Sequence, residues 1–343
     1  MTSSQPRGDP LAAVDPSLRR GLSVFVRLMA GRKLTLNWVH FLYGIGRIIQ
    51  LLAGIGTPSR RIKGKAGEPD VRIWIIDRRA RKTTEPTPAV LHIHGGGYIS
   101  GVPALMFGPM RTLSSQLDCL VVSVDYRLAP WTPFPGALED NHAALGWLHA
   151  NAESLSIDPA RIAVMGDSAG GGHAAMLAIA ARDRGQYPLA FQVLVYPMLD
   201  DRTGTIRQPS SPDMGALMWT ASANMFGWTS LLGMPAGFAS PPYGAVPARV
   251  DDLAGLPPAW IGVGSLDLFH DEDIAYARRL KAAGVPVTLE LVPGAYHAFD
   301  MLVPEAPLSR TFTASWTSAL RQAFQAKARV AGQGARNMQE TKP

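Results

Sequence analysis

The amino-acid sequence predicts an α/β fold in which a mostly parallel sheet is covered by helices on both faces. Short apolar runs rich in Val, Ile and Leu recur after residue 65, and stretches of helical length lie between most of them. Strands that alternate with helices in this way form parallel sheets, because each helix carries the chain back to the same end of the sheet. The chain has 343 residues and is 47% hydrophobic, so it can bury the large core that such a sheet needs.

The candidate strands and helices follow one another along most of the chain. The apolar, β-branched runs that predict strands lie at residues 71–77, 89–94, 119–125, 161–166, 191–197, 259–264 and 287–292. The stretches that predict helices lie at about 104–117, 136–152, 169–183, 271–283 and 308–327.

One interval, residues 198–257, interrupts this alternation. It is rich in Met and Trp, whose side chains adapt to irregular apolar surfaces. We interpret it as an insertion over one end of the sheet, although a helical hairpin packed on the core would have a similar composition. We therefore divide the chain into N-terminal cap helices at 1–65, an α/β domain at 66–326 that contains this insertion, and a polar, disordered tail at 327–343.

The apolar stretch at residues 34–56 is long enough to span a bilayer, but it contains Arg47 and three further polar residues. A central arginine costs about 2.5–3.5 kcal/mol on membrane-insertion scales. Apolar residues recur there at helical spacing and make one stripe, formed by Trp38, Leu42, Ile45, Ile49 and Leu52. The pattern therefore predicts an amphipathic helix and no stable membrane insertion.

Positive charge is concentrated at the N-terminus. Residues 1–65 carry eleven Lys or Arg against two Asp, whereas the rest of the chain is slightly acidic. A basic amphipathic segment can contact anionic lipid, or it can be the solvated face of a covering helix; we favour the second interpretation. The basic residues are not interleaved with aromatic ones as in nucleic-acid sites, so we expect no nucleic-acid partner.

Two features of the sequence indicate the cellular compartment of the protein. The first twenty residues contain no apolar core of a signal peptide. Cys119 is the single cysteine and forms no internal disulfide, which is typical of a reducing compartment. We expect a cytoplasmic protein.

Chemistry-bearing residues follow several of the predicted strands, where ligand sites of α/β sheets gather. The segments in question are His94-Gly95-Gly96-Gly97-Tyr98, Gly166-Asp167-Ser168-Ala169-Gly170, Asp267 and His297. The second segment fits G-x-S-x-G, in which a serine lies at a strained strand-to-helix turn and exposes its hydroxyl. A phosphate-binding loop would need Lys-Ser or Lys-Thr after its last glycine, but here Gly172 is followed by His173.

The glycine cluster at 94–98 predicts an oxyanion hole. A tetrahedral oxyanion needs preorganised N–H donors, each worth about 3–4 kcal/mol. Gly95 and Gly96 have no side chains to obstruct their amides, and the amide of Ala169 follows the candidate nucleophile. We expect these three amides to be the donors.

Together these motifs resemble those of bacterial esterases related to hormone-sensitive lipase, which have the α/β-hydrolase fold. The matching segments are HGGGY at 94–98, VDYRLAP at 124–130, GDSAGG at 166–171, DLFHDE at 267–272 and GAYHAF at 294–299. The resemblance covers residues 66–326 and implies Ser168 as nucleophile, Asp267 as acid and His297 as base. It also implies a helical cap and a homodimer. Trp131 and Ala298 depart from the family pattern, which usually has Glu and Gly there.

Competing residues fit the triad less well. Of eight histidines, His297 alone follows both Asp267 and a strand end at the usual spacing. The acids Asp271, Glu272 and Asp273 fall where a helix should begin, and the helix dipole favours acids there.

The function indicated is hydrolysis of short- to medium-chain carboxylic esters through an acyl-enzyme. Substrate contacts are expected from Tyr98, Met218, Trp219 and Trp228. Clusters with metal-ligand spacing are missing, so we expect neither metal nor cofactor. Two alternatives stay open: a deacetylase or amidase acting on small molecules, and a non-catalytic binding protein of the same fold.

Overall fold

The structure is a computed structural model that describes residues 11–20, 22, 35–80, 85–237 and 240–340. The side chains of residues 36, 38–40, 42 and 328–340 lie outside the described part. All statements below refer to the described residues.

The elements alternate along the chain largely as predicted. The strands are β1 (Ser59–Ile62), β2 (Val71–Asp77), β3 (Thr87–Ile93), β4 (Leu120–Asp125), β5 (Ile157–Asp167), β6 (Phe191–Val195), β7 (Ala259–Gly264) and β8 (Val287–Val292). The helices are α1 (Leu36–Ala53), α2 (Phe107–Leu117), α3 (Gly136–Ala150), α4 (Ala169–Arg184), α5 (Ala221–Leu232), α6 (His270–Ala282), α7 (Phe299–Leu302) and α8 (Pro307–Glu340). Short 3-10 turns lie at Pro16–Leu18, Pro103–Met106 and Pro247–Arg249.

The strands form one sheet in the order β1-β2-β4-β3-β5-β6-β7-β8. The last six of these run parallel, whereas β1 and β2 pair antiparallel at one edge. The predicted α/β fold is therefore confirmed. Since the parallel strands all end at the same edge, the loops after β3, β5, β7 and β8 meet there.

Alternate residues of the central strands supply two cores, one on each face of the sheet. Leu91 of β3 packs in the core beneath α3, α4 and α6, whereas its neighbour Val90 packs in the core beneath α2 and α8. Because both faces are covered, the strands are nearly continuous apolar runs.

Strand β1 is an element that the sequence prediction missed. Residues 1–65 are predicted as cap helices, but Ser59–Ile62 pair with β2 as the edge of the sheet. Its sequence is SRRI, and only Ile62 is buried. A strand this short and polar has no apolar alternation to reveal it.

The insertion at 198–257 contains one helix, α5, and several turns. It is tied to the domain at its start, where the buried Glu272 carboxylate accepts the amides of Leu199 (2.6 Å) and Asp200 (3.1 Å). Glu272 and its acidic neighbours lie in the first turn of α6, as the dipole argument predicts. The domain boundaries themselves stay predictions.

At the C-terminus the backbone of α8 continues as helix through residue 340, where the sequence predicts a disordered tail. Residues 341–343 lie outside the described part. The order of that tail in solution stays a prediction.

Candidate active site

Ser168 lies at the sharp turn between β5 and α4. Its backbone has φ 56° and ψ −122°, which is strained for a residue with a side chain and costs about 1–3 kcal/mol. The flanking glycines make the turn feasible: a Cβ at Gly166 would lie 2.2 Å from the Gly170 carbonyl oxygen, and one at Gly170 would lie 2.1 Å from that of Ile93. These close backbone contacts leave no room for a side chain, so only glycine fits at either position.

The structure brings Ser168, His297 and Asp267 into one hydrogen-bonded chain. Ser168 Oγ lies 2.9 Å from His297 Nε2, and His297 Nδ1 lies 2.8 Å from Asp267 Oδ2. The other Asp267 oxygen accepts the Phe269 amide at 3.0 Å. Asp267 is fully buried, whereas Ser168 and His297 retain 7% and 6% of their surface exposed. Both reacting groups can therefore be reached while the carboxylate is shielded from water.

Backbone contacts hold the loop that carries His297. The Gly294 carbonyl accepts the Asp15 amide at 3.0 Å, and the Tyr296 hydroxyl donates to the Leu18 carbonyl at 3.1 Å. Ala298 adopts φ 60°, the left-handed region that favours the glycine usual in the resembling family. The N-terminal residues thus fix the position of the imidazole.

The amides of the glycine loop after β3 differ in their hydrogen bonding. Gly95 N donates to Asp167 Oδ2 at 3.2 Å, so this amide is already engaged. The amides of Gly96, Gly97 and Ala169 form no hydrogen bond within the described part of the chain. The amide of Gly97 is therefore free, whereas that of Gly95 is engaged by Asp167; Gly95, Gly96 and Ala169 as oxyanion donors stay a prediction.

The buried rings of His94 and Tyr126 support the glycine loop. His94 Nδ1 lies 2.8 Å from the Gly95 carbonyl oxygen, and the Tyr126 hydroxyl donates to the His94 carbonyl at 2.7 Å. Burial lowers the pKa of His94 to about 4 and that of His173 to about 3. Both imidazoles are therefore neutral at ordinary pH, and neither contacts Ser168.

The four residues expected to contact substrate occupy two different settings. Tyr98 and Trp228 are buried against each other, and the Tyr98 hydroxyl donates to the Met198 carbonyl at 2.7 Å. Trp219 is half-buried over the glycine loop, where a Cβ on Gly97 would lie 2.2 Å from its indole; Met218 is also half-buried. Substrate contact stays a prediction for all four residues. Because Tyr98 and Trp228 are buried, they are better placed to support neighbouring side chains than to contact a substrate.

A cavity of about 810 Å³ is lined by Tyr196 and by Asp167, the neighbour of Ser168 in the chain, but by none of the three triad residues. The Tyr196 ring meets His297 edge-on with a centroid separation of 4.8 Å, and its hydroxyl donates to Asp300 Oδ1 at 2.9 Å. Asp167 and Asp300 line this cavity together with apolar side chains of α2, α7 and α8. The sequence analysis did not single out Tyr196 or Asp300. The one feature of the sequence that points to Asp300 is its position three residues after His297.

Burial raises the pKa of Asp300 to about 6, and the nearby Asp167 carboxylate adds to this rise. Because the folded-state pKa lies above the ordinary aspartate pKa of 3.8, the stability contributed by the neutral form is full below pH 3.8. It is lost as pH rises through about 6.

We therefore expect Asp300→Asn to raise the urea midpoint of unfolding at about pH 8 and to leave it unchanged at about pH 4. Asparagine stays neutral at both pH values and still accepts the Tyr196 hydrogen bond. Paired urea titrations of both proteins measure the difference. A variant less stable than the wild type at the higher pH would show that the charge of Asp300 is stabilised in the folded state.

Comparisons with known proteins show which proteins this chain is similar to. The model of the alpha/beta hydrolase fold family matches residues 90–301. Esterase LipI of Mycobacterium tuberculosis is 39% identical over 229 residues, 64% of this chain and 68% of that protein. Carboxylesterase NlhH of the same species is 36% identical over 249 residues, 70% of this chain and 75% of that protein. The crystal structure of esterase LipW from Mycobacterium marinum matches with a TM-score of 0.78 at 33% identity, covering 92% of this chain and 97% of that one.

The fold and the relatives define a carboxylic ester hydrolase. The chain belongs to the α/β-hydrolase fold family, and within it to the esterases related to hormone-sensitive lipase, which confirms the resemblance seen in the motifs. Among the described helices, none combines the length and apolar character needed to cross a bilayer.

Proposed function

We propose that this esterase hydrolyses short- to medium-chain carboxylic esters through an acyl-enzyme formed on Ser168. The observation that carries the proposal is the hydrogen-bonded chain from Ser168 Oγ through His297 to Asp267. It is the arrangement in which an imidazole can take a proton from a serine while a buried carboxylate orients it.

In the first half-reaction, His297 Nε2 accepts the Ser168 proton as Oγ bonds to the ester carbonyl carbon. Asp267 accepts a hydrogen bond from Nδ1–H, holds this tautomer and stabilises the imidazolium. The imidazolium then gives the proton to the departing alkoxide, and the alcohol leaves. Water repeats the sequence on the acyl-enzyme and releases the carboxylic acid.

The oxyanion that forms at each addition is stabilised by the amides of Gly96, Gly97 and Ala169. These donors are supported by their freedom from other hydrogen bonds. Gly95, which precedes Gly96, lies against Ser168, since a Cβ on Gly95 would be 3.3 Å from Ser168 Cβ. They are held before the substrate arrives, so no reorganisation is needed as charge develops.

The cavity beside Tyr196 is the proposed location of one arm of the ester. Leu105, Leu113 and Met301 contribute apolar walls, so each methylene that fits gains up to about 0.8 kcal/mol. The gain ends where the cavity ends, since a longer chain meets packed side chains or returns to water. Small-molecule esters are thus the proposed substrates; a homodimer and a cytoplasmic location remain part of the proposal.

We expect kcat/KM on p-nitrophenyl esters to peak within about C2 to C8 and to fall for longer acyl chains. The measurement is initial rates from acetate to palmitate, each below its solubility limit. A maximum at palmitate with a rate increase above that limit would identify a lipase instead. A matched p-nitroanilide series separates ester from amide hydrolysis, and faster anilide cleavage would favour the amidase alternative.

A further inference from the structure

Helix α1 presents polar side chains to the protein and large apolar side chains to solvent. On its inner side, Gln50 is 3% exposed and its Nε2 donates to Asp125 Oδ2 at 2.7 Å. Arg47 pairs with the same carboxylate at 3.1 Å. On its outer side, Ile48 and Leu52 are 61% and 63% exposed. This is the reverse of the usual arrangement, in which a surface helix buries its apolar stripe.

The predicted stripe is therefore only partly correct. Ile45 and Leu52 belong to it but face solvent, and Ile49 is half-buried. Trp38 and Leu42 have side chains outside the described part. The helical periodicity of the sequence is real, but among the described stripe residues only Ile49 packs against the domain, whereas Ile45 and Leu52 face solvent.

The outward side chains of α1 form an apolar face, called the apolar patch here, whose members are Ile45, Ile48, Leu51, Leu52 and Ile55. Tyr43 lies roughly 160° around the helix from Ile45 and contacts the exposed Trp131 at a ring-centroid distance of 5.5 Å. Seven of the fourteen large hydrophobic residues exposed in the described part of the chain lie between residues 41 and 55. Contiguous exposed patches of this kind mark surfaces that something else covers.

Cations lie near α1. Arg61 and Arg72 line a hollow with Tyr43 and Trp131. The two carboxylates of that hollow, Asp70 and Asp125, pair with Lys63 and Arg47. At the other end, Arg111 donates to the Thr57 hydroxyl at 2.6 Å, just beyond the helix. Within the described residues, none of Arg61, Arg72 and Arg111 forms an ion pair with a carboxylate.

We propose that the apolar patch docks on an anionic membrane surface, with α1 lying in the plane of the interface. The apolar side chains enter the boundary between headgroups and acyl chains, and the nearby arginines contact lipid phosphates. The excess of basic residues over the first 65 positions adds long-range attraction.

A second copy of the chain fits the patch less well. A twofold interface pairs the patch with itself, so it brings together two surfaces that both carry Arg61, Arg72 and Arg111. An anionic surface complements the apolar side chains and the cations at once. Docking keeps the enzyme beside the membrane.

Vesicle flotation tests this proposal on the full-length protein. We expect flotation with vesicles of phosphatidylcholine containing about one third phosphatidylglycerol, little flotation with phosphatidylcholine alone, and loss of binding at high salt. Equal binding to both vesicles, or binding to neither, would overturn it.

Variants locate the contact. Ile48→Glu and Leu52→Glu should each weaken vesicle binding about tenfold or more, because a buried aliphatic side chain becomes a charge facing anionic lipid. Arg61→Gln should weaken it about fivefold. Ile206→Glu, at an exposed apolar position in the insertion, is the matched control and should bind as the wild type. Unchanged p-nitrophenyl butyrate turnover in solution confirms that each variant is folded.

Two outcomes would contradict the assignment. If Ile48→Glu and Leu52→Glu float as the wild type does, the patch is not the membrane contact. If sedimentation without vesicles shows a dimer that these substitutions dissociate, the patch is an interface between copies of the chain.

Discussion

Ser168→Ala should reduce kcat on p-nitrophenyl butyrate about a millionfold while the protein stays folded. The substitution removes the one hydroxyl that lies 2.9 Å from His297 Nε2. His297→Ala should cost about as much, because serine and histidine act as a unit. Asp267→Asn should cost less, about ten-thousandfold, since the geometry survives but the imidazole takes the wrong tautomer.

The matched control is Asp271→Asn. Asp271 is the neighbouring alternative to Asp267 as the triad acid, but its carboxylate forms hydrogen bonds with His270 and Ser210 and none with the triad. We expect it to retain wild-type turnover within about twofold, as a surface substitution should. Circular dichroism and thermal unfolding check the fold of every variant. An organophosphate should label Ser168 alone by peptide mass spectrometry. A Ser168→Ala protein with a tenth of wild-type activity would show that another nucleophile acts.

The sequence predicted the elements whose signal is local. The nucleophile turn is encoded by Gly166, Ser168 and Gly170 within five residues, and close backbone approach explains each glycine. The proposed acid and base follow from their places after separate strands: Asp267 precedes the rival acids, which begin the next helix, and His297 has the usual spacing. Parallel strands bring their ends together whatever the intervening chain does, so Asp267 and His297 meet without any direct signal.

What the sequence could not predict depends on partners distant in the chain. The amide direction in the glycine loop is set by Asp167, which lies 72 residues after Gly95. The orientation of α1 depends on Asp125, which lies 75 residues after Gln50 and draws polar side chains inward. Periodicity reveals that a helix has an apolar side, but it does not say which side faces the domain.

The proposed oxyanion hole leads to the second large effect, at Gly97. This residue has φ 63°, a conformation that alanine adopts only with strain. A Cβ there would lie 2.2 Å from the Trp219 ring, so either the loop or the indole must shift. A displaced amide no longer reaches the oxyanion, and loss of one such donor costs about a hundredfold to a thousandfold in kcat.

We therefore expect Gly97→Ala to lower kcat about a hundredfold or more with a much smaller change in KM, because the oxyanion forms only in the transition state. Gly108→Ala is the control: Gly108 lies in α2, and a Cβ there meets nothing within 4 Å. It should keep full activity and gain about 1 kcal/mol or less in stability, as glycine is unfavourable within a helix.

Adding Trp219→Ala to Gly97→Ala separates the two causes, since it removes the collision but not the strain. If the double variant recovers most of kcat, the indole displaces the loop; if it does not, the backbone conformation of Gly97 itself positions the donor. Wild-type kcat in Gly97→Ala would exclude this amide from the oxyanion hole.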